Sequence, residues 1–372
     1  MAVRCQRIMQ IMDNLAPRNR AEEWDNVGLL VGDPGAEVGR ILVSLDIDSS
    51  VVDQAIKEKA DLIIAHHPLI FRPLKSLRYD LPLGSLLRKL VQNNIMVYVA
   101  HTNLDCAATG VNAHLAVKLG LTETETLKVT GSDRMFKLVT FVPTEHTGVV
   151  LNAMAEAGAG WIGNYSHCSF RLLGTGTFLP KEAANPFIGV AGKLEEVEEH
   201  RLETIVPENL VDKVIKAMKK SHPYEEVAYD IYPLHQPATS WGLGMVGRLP
   251  LPVSLKAFAE QVKQALGISV VKLSGDRERL VTKVAVCGGA GASLIQAASF
   301  KGADVLVTGD LKYHEAKEAI ALKLAVLDAG HFATEQVIVP ALAHLLRSEL
   351  EKIGETVKII VAEETEEPWI YL

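Results

Sequence analysis

A chain of 372 residues, 48% of them hydrophobic, is long enough for more than one core and too apolar for a disordered polymer. Its 38 basic and 45 acidic side chains leave a net charge of −7, which gives no general attraction to phosphate backbones and argues against nucleic acid as a partner. The apolar runs, such as Leu62 to Ala65, are strand-sized and fall well short of the roughly 18 residues of a membrane span, so no membrane association is expected.

Along the chain, Met1 to Pro17 mixes Arg4, Arg7 and Asp13 with apolar positions at helical spacing, unlike a signal peptide, and the expected location is cytoplasmic. From Arg40 the pattern alternates: strand Ile41 to Asp46, helix Ser49 to Lys59, strand Asp61 to Ala65, helix Leu83 to Asn93, strand Ile95 to Ala100, helix Val111 to Leu119. Two of these strands end on polar clusters, Ala65-His66-His67-Pro68 and His101-Thr102-Asn103-Leu104-Asp105.

The texture then changes. Arg134 to Pro143, Tyr165 to Leu179, His200 to Val206 and Tyr224 to Tyr232 read as strands, with helices at Gly148 to Ala157 and Glu208 to Lys220. That βαββαβ order is the ferredoxin-like split motif. Pro233-Leu234-His235-Gln236-Pro237 reads as its exit linker. Beyond about Val246 the first pattern returns, with strands at Lys283 to Cys287, Asp304 to Thr308 and Leu324 to Asp328 and helices from Ser293, His314 and about Thr334. The expected fold class is therefore α/β, two βα-layer halves forming one mixed or parallel-sheet domain interrupted by a ferredoxin-like βαββαβ insert. Residues 1–125 and 246–372 make the metal-binding domain and 126–245 the insert.

The second half repeats the strand-end cluster as His331-Phe332-Ala333-Thr334-Glu335. The repeat reads either as a weak internal duplication or as the ordinary likeness of βα units. Residues four apart at the start of a helix project from one face, so His331 and Glu335 can reach a single point. Any one histidine is more often a hydrogen-bonded core or surface residue than a ligand. Convergence makes the case here, because His66, His67, Asp105, His331 and Glu335 all follow strands, at the carboxyl ends where α/β sheets bind ligands. Imidazole and carboxylate donors suit two divalent ions per chain, zinc first, with iron or manganese as alternatives, and a pair requires a shared carboxylate. His101 reads equally as a ligand or as a group that orients one. Asp310 and His314 are further cavity-lining candidates, and His101, Asp310 and His314 are the candidates for moving protons. Gly288-Gly289-Ala290-Gly291-Ala292-Ser293 reads either as a plain tight turn or as bare amides contacting a phosphate through Gly289 and Gly291. Cys5, Cys106, Cys168 and Cys287 form no Cys-x-x-Cys pair and read as isolated thiols.

Glu23-Trp24-Asp25-Asn26-Val27-Gly28-Leu29, the two His clusters of the first half, Thr308-Gly309-Asp310 and Gly330-His331 through Thr334-Glu335 together resemble one family, the dinuclear-metal GTP cyclohydrolase 1 type 2 homologues, also called NGG-interacting-factor-three-like. The resemblance implies a toroidal homohexamer with two metal ions at His66, His67, Asp105, His331 and Glu335, Glu335 bridging. The segment around Ser221-His222-Pro223-Tyr224 is similar to the insert of longer members, which resembles PII and CutA folds. Two functions follow as expectations. One is a metal-dependent hydrolase acting on a nucleotide-like substrate such as GTP; the other is a non-catalytic metal-binding or ligand-sensing regulatory protein.

Overall fold

The computed structural model describes residues 2–363 and 367–370. The chain divides into two compact units, Met1–Thr130 with Trp241–Leu372, and Gly131–Ser240. Among the described residues no helix is long and apolar enough to cross a membrane.

The first unit is built on two mixed sheets rather than one sheet shared by both halves. In the first sheet the order is Lys358–Val361, Arg40–Ser44, Leu62–Ala65, Met96–Val99 and Gly28–Val31. The first four strands run parallel and the last is antiparallel. In the second, Lys272–Ser274, Ala325–Asp328, Val305–Gly309 and Leu280–Ala290 are followed by the C-terminal part of Tyr229–Ser254. Its three central strands are parallel and both flanks antiparallel. Flanking strands occupy the edges of each βα layer, which leaves no edge for the halves to share.

The unbroken apolar runs of the sequence are what a parallel strand buried on both faces demands. Ile41, Val43, Leu62, Ile64 and Tyr98 pack on one face of the first sheet, while Leu42, Ile63, Val97 and Val99 pack on the other. The second sheet divides in the same way, with Val284, Val286, Val305 and Val307 opposite Ala285, Leu306 and Val326. Each fully buried aliphatic side chain contributes about 1.5–3 kcal/mol of transfer free energy, which fixes where these strands end and hence where the polar residues after them must lie.

The second unit follows the βαββαβ order, with helices Thr147–Glu156 and Val211–Ser221 and strands Ser169–Phe178 and Glu195–Pro207 between residues 131–143 and 229–240. Its strands lie in the order fourth, first, third, second, the ferredoxin-like arrangement. The first pairs antiparallel with the third, and the third with the second. Helix residues Val150, Met154, Val214 and Met218 pack on Leu138, Val142, Leu202 and Val206. The chain enters within Thr122–Pro143 and leaves within Tyr229–Ser254, so the proline-containing stretch read as an exit linker is strand. Proline's fixed φ is compatible with extended backbone, which is why composition misled there.

Candidate metal centre

Three short segments after strands build the site. His66 and His67 directly follow Leu62–Ala65, and their backbone N–H groups continue the ladder onto Ser44 and Leu45 carbonyls. His101 and Asp105 flank the single helical turn Thr102–Asp105 after Met96–Val99. His331 and Glu335 begin and end the helix His331–Glu335 after Ala325–Asp328, and their i,i+4 spacing brings His331 Nε2 to 3.1 Å from Glu335 Oε2. Both sheets of the first unit thus deliver side chains to one place.

The rings converge. Centroids of His66 and His67 are 5.0 Å apart, His66 and His101 5.2 Å, and His67 and His331 5.3 Å. Donor atoms of His66, His67 and His101 form one group within 4.8 Å, and those of His67, His331 and Glu335 form another. Asp105 Oδ1 lies 3.7 Å from His66 Nε2. His101, read from sequence as ambiguous, stands among the other rings.

Each imidazole is held from behind by its Nδ1. His66 Nδ1 donates to the Ala100 carbonyl at 2.9 Å, His67 to Asp46 at 2.8 Å, His101 to Asp25 at 2.8 Å and His331 to Asp310 at 2.7 Å. All four acceptors are oxygens with no hydrogen to give, so the tautomer is fixed and each Nε2 is the free ring nitrogen. These nitrogens face carboxylates, which are also acceptors. His66 Nε2, Asp105 Oδ1 and Glu335 Oε2 are buried with no hydrogen-bond partner. His67 Nε2 lies 3.0 Å from Glu335 Oε2, an acceptor facing an acceptor unless a positive charge stands between them. Either an extra proton on the ring or a cation supplies it.

The electrostatics show how strongly that charge is wanted. Burial raises the Glu335 carboxyl, yet His331, His66 and His67 outweigh it and hold the group well below the usual carboxylate range. Burial likewise opposes charging His67, but Asp46 and Glu335 push it up to about 10. Glu335 is the largest influence on His331, which is pushed up to about 9. Asp105 is pushed up to about 6 by burial, only partly offset by His66. Asp25 overcomes its burial through His101 and Thr102 and falls to about 2. A divalent ion satisfies the same field while displacing the ring protons. Burial pushes the Cys106 thiol up to about 12 and the Cys287 thiol up as well, so neither offers a thiolate.

The glycine run is not a phosphate cradle. Gly288, Gly289 and Ala290 belong to the strand Leu280–Ala290. Gly289 N–H donates to Thr334 Oγ1 at 3.0 Å and Gly291 N–H to Thr308 Oγ1 at 2.8 Å, so neither amide is free for an anion. The requirement for glycine is steric. At φ +60°, a Cβ on Gly289 would lie 2.1 Å from Glu335 Oε1 and 3.1 Å from His331 Nε2. His314 is exposed on the helix Tyr313–Ala321 and belongs to neither group of donors, whereas Asp310 acts on the site through His331.

Two residues that sequence reading left without a role, Asp25 and Asp46, prove to orient rings. Asp25 stood within the motif carrying the family resemblance, and Asp46 at the end of a strand; either position was a usable signal. Trp24, exposed, sets its ring edge to face with Phe71 at 5.8 Å and His101 at 6.1 Å, placing aromatic surface beside the centre.

The sequence profile of Duf34/NIF3 (NGG1p interacting factor 3) matches residues 3–368. This chain belongs to that family. It is 46% identical over 371 residues to a Bacillus subtilis (strain 168) member named GTP cyclohydrolase 1 type 2 homolog, covering 100% of this chain and 99% of that protein. A Mycobacterium tuberculosis (strain ATCC 25618 / H37Rv) member of the same name is 39% identical over 373 residues, covering 99% and 97%. The crystal structure of a Bacillus cereus protein related to NIF3 superposes with a TM-score of 0.94 at 44% identity, covering 100% of this chain and 99% of that one. Members of the Duf34/NIF3 family thus match this chain along its full length, the inserted unit included.

Proposed function

We propose that this member of the Duf34/NIF3 family binds two divalent ions per chain and is a metal-dependent hydrolase acting on a nucleotide-like substrate. The observation that carries the reading is the set of four imidazoles whose Nδ1 atoms are all committed, with the Nε2 atoms of His66, His67 and His331 set against the carboxylates of Asp105 and Glu335, which hold partnerless oxygens. A ring nitrogen has one lone pair and serves one ion, whereas a carboxylate can serve two. Glu335 approaches His66 through Oε1 and His67 and His331 through Oε2, which favours it as the bridge. His67 and His331 would then hold one ion, and His66, His101 and Asp105 the other.

Bound divalent ions would supply electrophilic polarisation of a substrate oxygen and ease deprotonation of water. The chain's own groups do the rest. Asp25, Asp46 and Asp310 fix the rings. Trp24 and Phe71 offer aromatic faces that suit a planar base. The relatives' name makes GTP ring opening the concrete reaction to try. A homohexamer is part of the same proposal, consistent with exposed apolar side chains such as Phe71, Tyr79 and Phe300.

Elemental analysis of protein reloaded with zinc, iron or manganese should find two ions per chain; one or none removes the dinuclear reading. Metal-loaded protein should open or hydrolyse a nucleotide, GTP first, and lose that turnover on chelation. Two bound ions without turnover of any nucleotide would leave the regulatory alternative. Light scattering should give six times the chain mass.

A further inference from the structure

The inserted unit contains a cavity of about 810 Å³, a size suited to a small organic molecule and lined mainly by apolar residues. Phe178, Phe187 and Tyr224 form an aromatic wall, with Tyr224 5.9 Å from Phe178 and 6.4 Å from Phe187 between ring centroids. Lys181, Glu199, Arg201, Glu225 and Glu226 also border it, and of these charged groups Glu199 is the buried one. It is only 7% exposed, and Tyr224 Oη donates to its Oε1 at 2.7 Å. The strand Ser169–Phe178 passes so close that a Cβ on Gly176 would lie 2.1 Å from Glu199 Oε2.

None of the groups around this carboxylate forms an ion pair with it among the described residues. His222 donates Nε2–H to the Phe141 carbonyl and accepts from Tyr224 N–H at Nδ1, so both nitrogens are used by a neutral ring, as its burial favours. Arg201 borders the cavity but spends its Nε on Glu203 at 2.8 Å. A carboxylate taken out of water without a cation is costly unless something that binds there repays it. Aromatic faces beside a carboxylate are the combination that recognises organic ammonium groups.

We propose that this cavity binds an organic cation with an aromatic or branched apolar body, its nitrogen set against Glu199 and its body against Phe178, Phe187 and Tyr224. The site lies within the inserted unit and shares no residue with the metal centre, so it stands whether or not the hydrolase reading does.

The test uses the full chain and three probes that share an indole ring: tryptamine, neutral 3-ethylindole and indole-3-propionate. The acid is the necessary control, because Lys181 and Arg201 also border the cavity. Calorimetry and ligand-observed NMR should show saturable one-to-one binding, with tryptamine about tenfold tighter than indole-3-propionate, the scale of one charge-assisted hydrogen bond. Glu199→Gln should erase that preference while leaving 3-ethylindole unchanged. Should Glu199→Gln fail to fold, Phe187→Ala, at an exposed position, decides the matter by weakening all three probes together. Equal affinity for amine and acid, a preference that survives Glu199→Gln, or no weakening in Phe187→Ala would overturn the proposal. So would the absence of saturable binding, whether from simple partitioning or because a second copy of the chain covers the cavity.

Discussion

Glu335 and Glu199 are the same residue type at nearly the same burial, 4% and 7% exposed, and their surroundings differ completely. Around Glu335 stand His66, His67 and His331, each braced by an oxygen on its far nitrogen. Around Glu199 there are one tyrosine hydroxyl, a neutral histidine, a wall of rings and, at the cavity border, an Arg201 whose Nε is bound to Glu203. A buried carboxylate is therefore not a site by virtue of burial. What the neighbours can still accept decides it: ring nitrogens and carboxylate oxygens arranged as a candidate metal site in one unit, a buried carboxyl group with no ion pair among the described residues beside aromatic faces in the other.

The largest test of this contrast is Glu335→Ala, which removes the carboxylate that meets His66, His67 and His331 and should take metal content from two ions per chain to none. Retention of both ions, measured by mass spectrometry of the metals, would break the contrast. Gly289→Ala should come next. Its methyl group would collide with Glu335 Oε1 in a backbone conformation that itself costs an alanine roughly 1–2 kcal/mol, so metal affinity should drop without any change at the ligands. Unaltered affinity would show that the carboxylate is free to move aside. Asp46→Asn and Asp310→Asn should each keep the stoichiometry and weaken the affinity by about 10–100-fold, the usual effect of removing a group that orients a ligating histidine. Competition with a chelator reads this directly, and an undiminished affinity in both variants would deny the bracing role. Smallest is Tyr224→Phe in the other unit. Leaving Glu199 without its donor should cost about 1–3 kcal/mol in urea unfolding of the full chain and leave metal content untouched. A loss of metal there would mean the two sites are not separate.

Much of this arrangement could be read before any coordinates, for a physical reason. A parallel strand buried on both faces must be a short apolar run, so it announces its own end, and the His and acidic residues that follow are placed at that end by chain connectivity alone. The βαββαβ order of the insert was legible in the same way. What could not be read were pairings set by distance through space. Asp25 and His101 are separated by 76 residues and Asp46 and His67 by 21, and no local pattern links them. The glycine run misled because glycine in a strand looks like glycine in a turn. Only the side chain of Glu335, packed where a Cβ would be, explains why Gly289 is bare. The long strands Thr122–Pro143 and Tyr229–Ser254 were cut short on paper because polar and proline residues interrupt their alternation.

The strand Lys358–Val361 lies parallel to Arg40–Ser44, so a sheet begun near residue 40 is completed more than 300 residues later. The helix Ile338–Lys352 packs into the core on one face of that same sheet. During synthesis on the ribosome, Arg40–Ser44 therefore waits with one edge open until Lys358–Val361, more than 300 residues later, has emerged, and an open strand edge invites mispairing. The same delay orders events at the centre. His66, His67 and His101 are made well over 200 residues before His331 and Glu335, so on the proposed reading an ion captured early can be held only by an incomplete set.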